Sequence, residues 1–178
     1  MKILAISGSL RKDSSNTKLV RAFAKLAPSG TTVEIADIGS LPLYDTDLEA
    51  SFPAPAKALK DQIAAADAVI LATPEYNRSV PGVLKNAVDW ASRPYGQNSF
   101  ARKPVLVAGV SSGKIGTAVA QSHLKQVLVY LDADVLGQPE LYLGPAKEVF
   151  NENGDIATDE TKDALTKALD ALARRVRA

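Results

Sequence analysis

At 178 residues, with 46% hydrophobic and 23% charged residues, the chain has the size and balance expected of one soluble globular domain built on one core. Twenty-one Lys and Arg against twenty Asp and Glu leave a formal charge of +1, too weak a field for nucleic acid or acidic lipid as main partner, although a charged small ligand stays open. The absence of cysteine and a single His, His123, exclude disulfides, thiolate metal sites, cysteine nucleophiles and a His zinc cluster.

Strand and helix patterns alternate along the chain. "KILAIS" (2 to 7) is an apolar run suited to a strand buried on both faces. "NTKLVRAFAKLA" (16 to 27) places Leu19, Val20, Phe23, Ala24 and Ala27 at helical spacing opposite Lys18, Arg21 and Lys25, and Pro28 and Gly30 stop it. "TVEIADI" (32 to 38) predicts a second strand, and "AKALKDQIAAA" (56 to 66) a second helix after a Pro-rich loop from Gly39 to Pro55. "DAVILAT" (67 to 73) predicts the third strand, and "PGVLKNAVDWAS" (81 to 92) a helix with Pro at its start, where the missing N–H costs nothing. "KPVLVAGVS" (103 to 111) is the fourth strand and "GTAVAQSHLKQVLVYLD" (116 to 132) the fourth helix. "ADVLGQPELYL" (133 to 143) is a fifth strand interrupted at Gly137 and Pro139, and "DETKDALTKALDALARRV" (159 to 176) closes the chain as an amphipathic helix.

Five strands, each followed by a helix, imply an α/β doubly wound fold over residues 1 to 178, because each parallel connection needs a right-handed crossover. No repeat, low-complexity tract or linker divides the chain. The N-terminal "MKILAISGSLRK" has only about six apolar residues in its run, too few for a signal-peptide core or a membrane span, so a cytoplasmic location is expected. In that setting the sequon Asn77-Arg78-Ser79 carries no meaning.

Ligands of such sheets bind at the carboxyl ends of the strands, where strand order reverses, so three loops matter: 8 to 17, 74 to 80 and 111 to 116. The first, "GSLRKDSSNT", runs from a strand into a helix N-terminus, whose free N–H groups favour an anion. Ser9, Ser14, Ser15 and Thr17 add hydroxyls, Asn16 an amide, and Arg11 a fork that can hold two phosphate oxygens. The competing reading is a Ser14 or Ser15 helix cap with Arg11 in solvent. Lys12 and Asp13 are expected to face water. The stretch is neither a Walker loop nor a Gly-x-Gly-x-x-Gly turn, which weighs against a nucleoside triphosphate. Response-regulator chemistry would need carboxylates where Ser7 and Thr73 stand, and a phosphatase of this topology would need a cysteine. In the second loop, "TPEYNRSVPG" (73 to 82), backbone groups can meet the edge of a flat heterocycle beside Tyr76, although Pro74 and Asn77 also suit simple turn chemistry. The third, "SSGKIG", is small enough to let a ring approach its backbone.

Taken in order and spacing, "GSLRKDSSNT", "PEYNRSVPGVLKNAVDW" and "SSGKIG" resemble the NADPH-dependent FMN reductase family, a flavodoxin-like group that includes quinone, chromate and azo-dye reductases, over residues 1 to about 145. The resemblance implies a three-layer sandwich with strand order 2-1-3-4-5, helices on both faces, and tightly held FMN. It places Ser9, Arg11, Ser14, Asn16 and Thr17 on the phosphate and ribityl chain, Pro74, Glu75, Tyr76 and Asn77 along the isoalloxazine, and Ser111, Ser112 and Gly113 at its other edge. One departure is that the third loop of the family often reads Gly-Gly where this chain has Gly116 and Thr117. With FMN bound, the cofactor carries the reaction and no catalytic triad is needed, which suits a chain without Cys. NAD(P)H would reduce the flavin and leave before an acceptor took its place, in ping-pong order, with quinones first among acceptors and free flavin, azo compounds and chromate beside them. A flavodoxin-type electron carrier and a reductase supplying reduced FMN to a partner monooxygenase are the alternatives; carriers tend to be acidic, and +1 argues against that. The likeness also implies a homodimer or homotetramer.

Four further features belong to packing, surface or assembly. His123 is expected to pack or to sit at a subunit boundary, Trp90 to lie in the core, and Asp89 to face the flavin loop or close the core. The loop "SRPYGQNSFARK" (92 to 103) would cover either the active site or a neighbouring subunit.

Overall fold

Alternation along the strands explains how one sheet acquires two cores. In β1 (Lys2–Ser7), Ile3 and Ala5 point to one face and Leu4 and Ile6 to the other, and all four are buried. The computed structural model describes residues 1–178. β1 is followed by α1 (Ser15–Leu26), β2 (Thr32–Ala36), a 3-10 turn (Thr46–Ser51), α2 (Ala54–Ala65), β3 (Ala68–Ala72), α3 (Gly82–Ala91), β4 (Pro104–Val110) and α4 (Ala118–Tyr130). The chain then forms β5 (Asp134–Val135), β6 (Leu141–Leu143), a short α5 (Ala146–Val149) and α6 (Asp159–Arg177). The sheet is parallel, in the order β2-β1-β3-β4-β5, with β6 also on β4.

Leu19 and Phe23 of α1 and Leu165, Leu169 and Leu172 of α6 cover one face of the sheet. Leu59 and Ile63 of α2, Leu84 and Val88 of α3, and Leu124 and Leu128 of α4 cover the other. The expected doubly wound architecture and strand order are therefore present. The fifth strand is broken as its Gly and Pro imply, and each piece finds a different part of β4: Val135 pairs with Val105, and Leu141 to Leu143 pair with Ala108 to Val110. The sheet consequently has six strands rather than five. The 3-10 turn and α5 fall in stretches that the sequence presents as loops; Asp45 starts the former by accepting the Asp47 N–H.

Trp90 is fully buried, donates its indole N–H to the Pro42 carbonyl (2.8 Å), and meets Tyr44 and Phe52 edge-on. Asp89 does not close the core; its carboxylate turns outward to Lys85 at 2.7 Å. The segment from Ser92 to Lys103 links the C-terminus of α3 to the start of β4, so it lies at the opposite end of the sheet from the carboxyl-end loops and does not cover them. The Lys60 ammonium ties it down there through Gln97 O (2.6 Å), Ser99 Oγ (3.1 Å) and Ala91 O (3.2 Å). Burial pushes the Lys60 pKa below its ordinary value, because those carbonyls replace water only in part.

Candidate functional site

The chain leaves β1 toward β2 and returns across it to β3, which puts the switch point between the carboxyl ends of β1 and β3. Gly8 donates its N–H to Ala72 O (2.8 Å), and a Cβ there would stand 2.9 Å from Leu84 Cδ2 and 3.1 Å from Pro74 Cδ. Any larger residue there would have to push Leu84 or Pro74 aside, so glycine suits a strand that leaves this close to the second loop. The helix-cap reading is correct for Ser14, whose Oγ accepts the Thr17 N–H at 3.2 Å. Capping does not exhaust the donors, since the N–H groups of Ser15 and Asn16 have no partner within the protein. Ser9 Oγ accepts the Arg11 N–H (3.3 Å), and the exposed Arg11 guanidinium is in no ion pair. Lys12 and Asp13 face solvent as expected.

Two members of this loop are turned inward. Thr17 Oγ1 lies 2.9 Å from Ser7 Oγ, and the Asn16 amide, buried, donates to Val110 O and accepts from Val110 N–H, both at 3.0 Å. The second pair joins the first loop to the start of the third.

The second loop is a tight reverse turn. Tyr76 and Ser79 exchange backbone hydrogen bonds of 3.1 and 3.0 Å around Asn77 and Arg78, which have φ of 51° and 60°. Asparagine tolerates that left-handed region better than most residues, so turn chemistry accounts for Asn77, at the exposed tip. Glu75 points the other way: its side chain is 8% exposed, and one oxygen accepts the N–H groups of Val119 and Ala120, each at 3.1 Å. Thr117, at the start of α4, has φ of 66° and gives no side-chain cap, so Glu75 supplies both the acceptor and the negative charge that this helix end lacks. Its other oxygen accepts from Arg78 (3.1 Å). Tyr76 is left 48% exposed above the turn. His123 belongs to neither core; it is exposed on α4, with Nδ1 3.2 Å from Ser79 Oγ.

The third loop is braced from beneath. Ser111 Oγ donates to Gly113 O (2.8 Å) and accepts from Gly116 N–H (3.1 Å). The buried Gln121 amide donates to Thr117 Oγ1, Gly116 O and Leu141 O at 3.0, 3.3 and 2.9 Å. Thr117 fills the space over Gly109, where a Cβ would meet its Oγ1 at 2.0 Å, so the Gly-to-Thr departure packs against a glycine on β4.

Ser9, Arg11, Ser14, Asn16, Pro74, Glu75, Tyr76, Ser111 and Ser112 line one cleft of about 170 Å³. Thr17, Asn77 and Gly113 do not line it. Ser15, Val110 and Ala146 do, beyond the expected set. Ser15 was visible as a hydroxyl of the loop and Val110 as a strand end, whereas Ala146 arrives only through the register of β6. Ser9, Arg11 and Tyr76 also border a second cavity of about 450 Å³, walled by Leu10, Pro81 and Val83. No cluster of three or more His, Asp or Glu side chains could hold a metal ion, and no helix is long and apolar enough to cross a membrane.

Residues 1–148 match the family described as NADPH-dependent FMN reductase. The chain is 49% identical to a 2-hydroxy-1,4-benzoquinone reductase of a Burkholderia species, over 99% of this chain and 97% of that protein. It is 45% identical to a quinone reductase of Escherichia coli K12, over 96% and 93%. Among solved structures, FerB, a flavoenzyme NAD(P)H:(acceptor) oxidoreductase from Paracoccus denitrificans, superposes with a TM-score of 0.92 at 42% identity, covering 99% of this chain and 97% of that one. With the strand order, the cleft and these full-length likenesses agreeing, the chain belongs to the NADPH-dependent FMN reductase family.

Proposed function

We propose that residues 1 to 178 form one FMN-binding unit that uses NAD(P)H to reduce quinones and similar acceptors, free flavin, azo compounds and chromate among them, in a ping-pong cycle in the cytoplasm. The observation that carries the reading is the set of unspent donors at the first loop, the Ser15 and Asn16 N–H groups and the Arg11 guanidinium, facing a cleft that borders a wider, partly apolar cavity. A phosphomonoester and the edge of a flat ring system fit the first, and the ring's reaction partner the second. The names of the Burkholderia and E. coli relatives support quinones as the acceptor class.

When bound, FMN supplies two-electron chemistry between a hydride donor and an acceptor. The chain's own residues bind and orient. Ser9, Arg11, Ser14 and the N–H groups of Ser15 and Asn16 hold the phosphate end, with Thr17 stiffening the helix turn beneath. The backbone of Pro74, Glu75 and Tyr76 would line one edge of the ring, and Ser111 and Ser112 the other, with Asn77 and Gly113 shaping the two loops from outside the cleft. Leu10, Tyr76 and Val83 give the open face an apolar wall on which a nicotinamide and then a quinone can stack.

We further propose a homodimer or homotetramer that uses the C-terminal half of α4, where Val129 and Tyr130 are 66% and 83% exposed. The deciding experiment is anaerobic mixing of FMN-loaded protein with NADH and, in parallel, NADPH. Rapid bleaching of the flavin is expected, followed by parallel double-reciprocal lines with a benzoquinone. A protein that takes up no FMN overturns the reading, and intersecting lines overturn the ping-pong order.

A further inference from the structure

On the face of the sheet covered by α1 and α6, away from the flavin cleft, lies a cavity of about 370 Å³ with an unusual lining. Lys18, Arg21 and Lys25 of α1 stand at i, i+3 and i+7, on one stripe of a helix that contains no carboxylate. Lys162 of α6 completes the ring, and Asp155 is the only acid in the lining. Four cations against one carboxylate are thus concentrated in a chain whose overall formal charge is +1. Lys25 is satisfied by Asp155 and Lys162 by Asp159, but Lys18 and Arg21 have no ion-pair partner. Like charges on one helix stripe repel, and no carboxylate pairs with Lys18 or Arg21 to relieve those two.

The floor is apolar. Ala22 and Ile156 are buried there beside Leu26. The far wall is preformed: Phe150 and Ile156 pair across a hairpin whose turn is held by Asn151 Oδ1, which accepts the N–H groups of Asn153 and Asp155 at 3.0 Å each. Solvated surface lysines need neither a cavity nor a fixed wall, whereas a bound ligand uses both.

We propose that this cavity binds a small amphipathic organic anion, its ring or short chain on Ala22, Leu26 and Ile156 and its phosphate or carboxylate between Lys18 and Arg21. The site is separate from the flavin cleft, and the inference does not depend on the activity proposed above.

The test uses 1-naphthyl phosphate as probe, with inorganic phosphate and 1-naphthol as its two halves, and follows the methyl NMR signals of Ala22, Leu26 and Ile156 in protein saturated with FMN. Saturable shifts of all three methyls are expected with the ester, and affinity about tenfold or more weaker for each half and for the ester against Lys18→Gln/Arg21→Gln, since both charge-assisted contacts are then gone. Gln is a good helix former and neither position is buried, so the variant keeps its fold. Absence of shifts at these methyls, equal affinity in the double variant, or either half binding as tightly as the ester would overturn the proposal.

Discussion

Asn16 and Val110, 94 residues apart, pair twice: one side-chain amide gives a hydrogen bond to the C=O and takes one from the N–H of the same buried residue, each of 3.0 Å. Truncation to Asn16→Ala leaves the Val110 N–H and C=O without partners in a buried strand end. The expected loss is about 2 to 4 kcal/mol, from roughly 1 to 3 for each orphaned group with some relief by water. Denaturant unfolding checks it, and a loss below about 1 kcal/mol would show that the pair is replaceable.

Glu75 makes a comparable link between the second loop and α4. Glu75→Ala removes the acceptor for two helix-start N–H groups and is expected to cost about 1 to 3 kcal/mol; Glu75→Gln keeps an oxygen and costs less. Hydrogen exchange at Val119 and Ala120 should accelerate in the Ala variant before exchange in β3 does. Uniform acceleration throughout the chain would mean a global effect, not a lost cap.

Arg11 is the test of the phosphate site. Arg11→Ala should weaken FMN binding by about 2 to 4 kcal/mol, roughly 30-fold to 1,000-fold, and leave riboflavin binding unchanged, because riboflavin lacks the phosphate. Lys12→Ala, in solvent, should leave both unchanged. Flavin fluorescence titration of apoprotein reads all four affinities, and equal losses for the two flavins would assign Arg11 to loop support.

Tyr142 predicts an alkaline signature. Its hydroxyl donates to Glu140 at 2.6 Å, and that bond pushes its pKa up to about 12 from 10.0. The same bond lowers the Glu140 pKa. The phenol is raised on folding, so its share of stability is full below pH 10.0 and disappears as pH rises through about 12. The carboxylate is lowered, so its share is present above its ordinary range and is lost as pH falls through the shifted value. In an ultraviolet titration one of the five tyrosines should ionise last; Tyr142→Phe should delete that phase and Glu140→Gln should return it toward 10.0.

For the assembly, Val129→Lys with Tyr130→Lys should yield an 18.8 kDa monomer in light scattering if the exposed end of α4 is buried between subunits. A wild-type protein that is already monomeric would remove that proposal and leave the FMN assignment intact.

How much of this was legible beforehand depended on whether the signal was local. Periodicity in "DAVILAT" or "NTKLVRAFAKLA" reports burial directly, so those elements appear within a residue or two of their expected bounds. Glycine and proline likewise marked the break between β5 and β6. The site loops were legible as loops, but the fate of single side chains was not. Asn16 and Glu75 look like ligand donors in one dimension, yet their partners Val110 and Val119 lie far along the chain. His123, read as packing or interface material, is outside both cores because α4 turns Leu124 and Leu128, not position 123, to the sheet.

The division of the last sheet position between β5 and β6 affects how copies of this protein behave when crowded. An intact edge strand offers a row of unpaired backbone groups on which another chain can add. Here that border is cut into pieces of two and three residues by Gly137, Gln138 and Pro139, and the opposite border, the five-residue β2, carries the exposed Glu34 at its centre. Both borders thus carry features that disfavour edge-to-edge addition. Replacing Gly137 and Pro139 with Val would mend the border and is expected to promote aggregation on concentration.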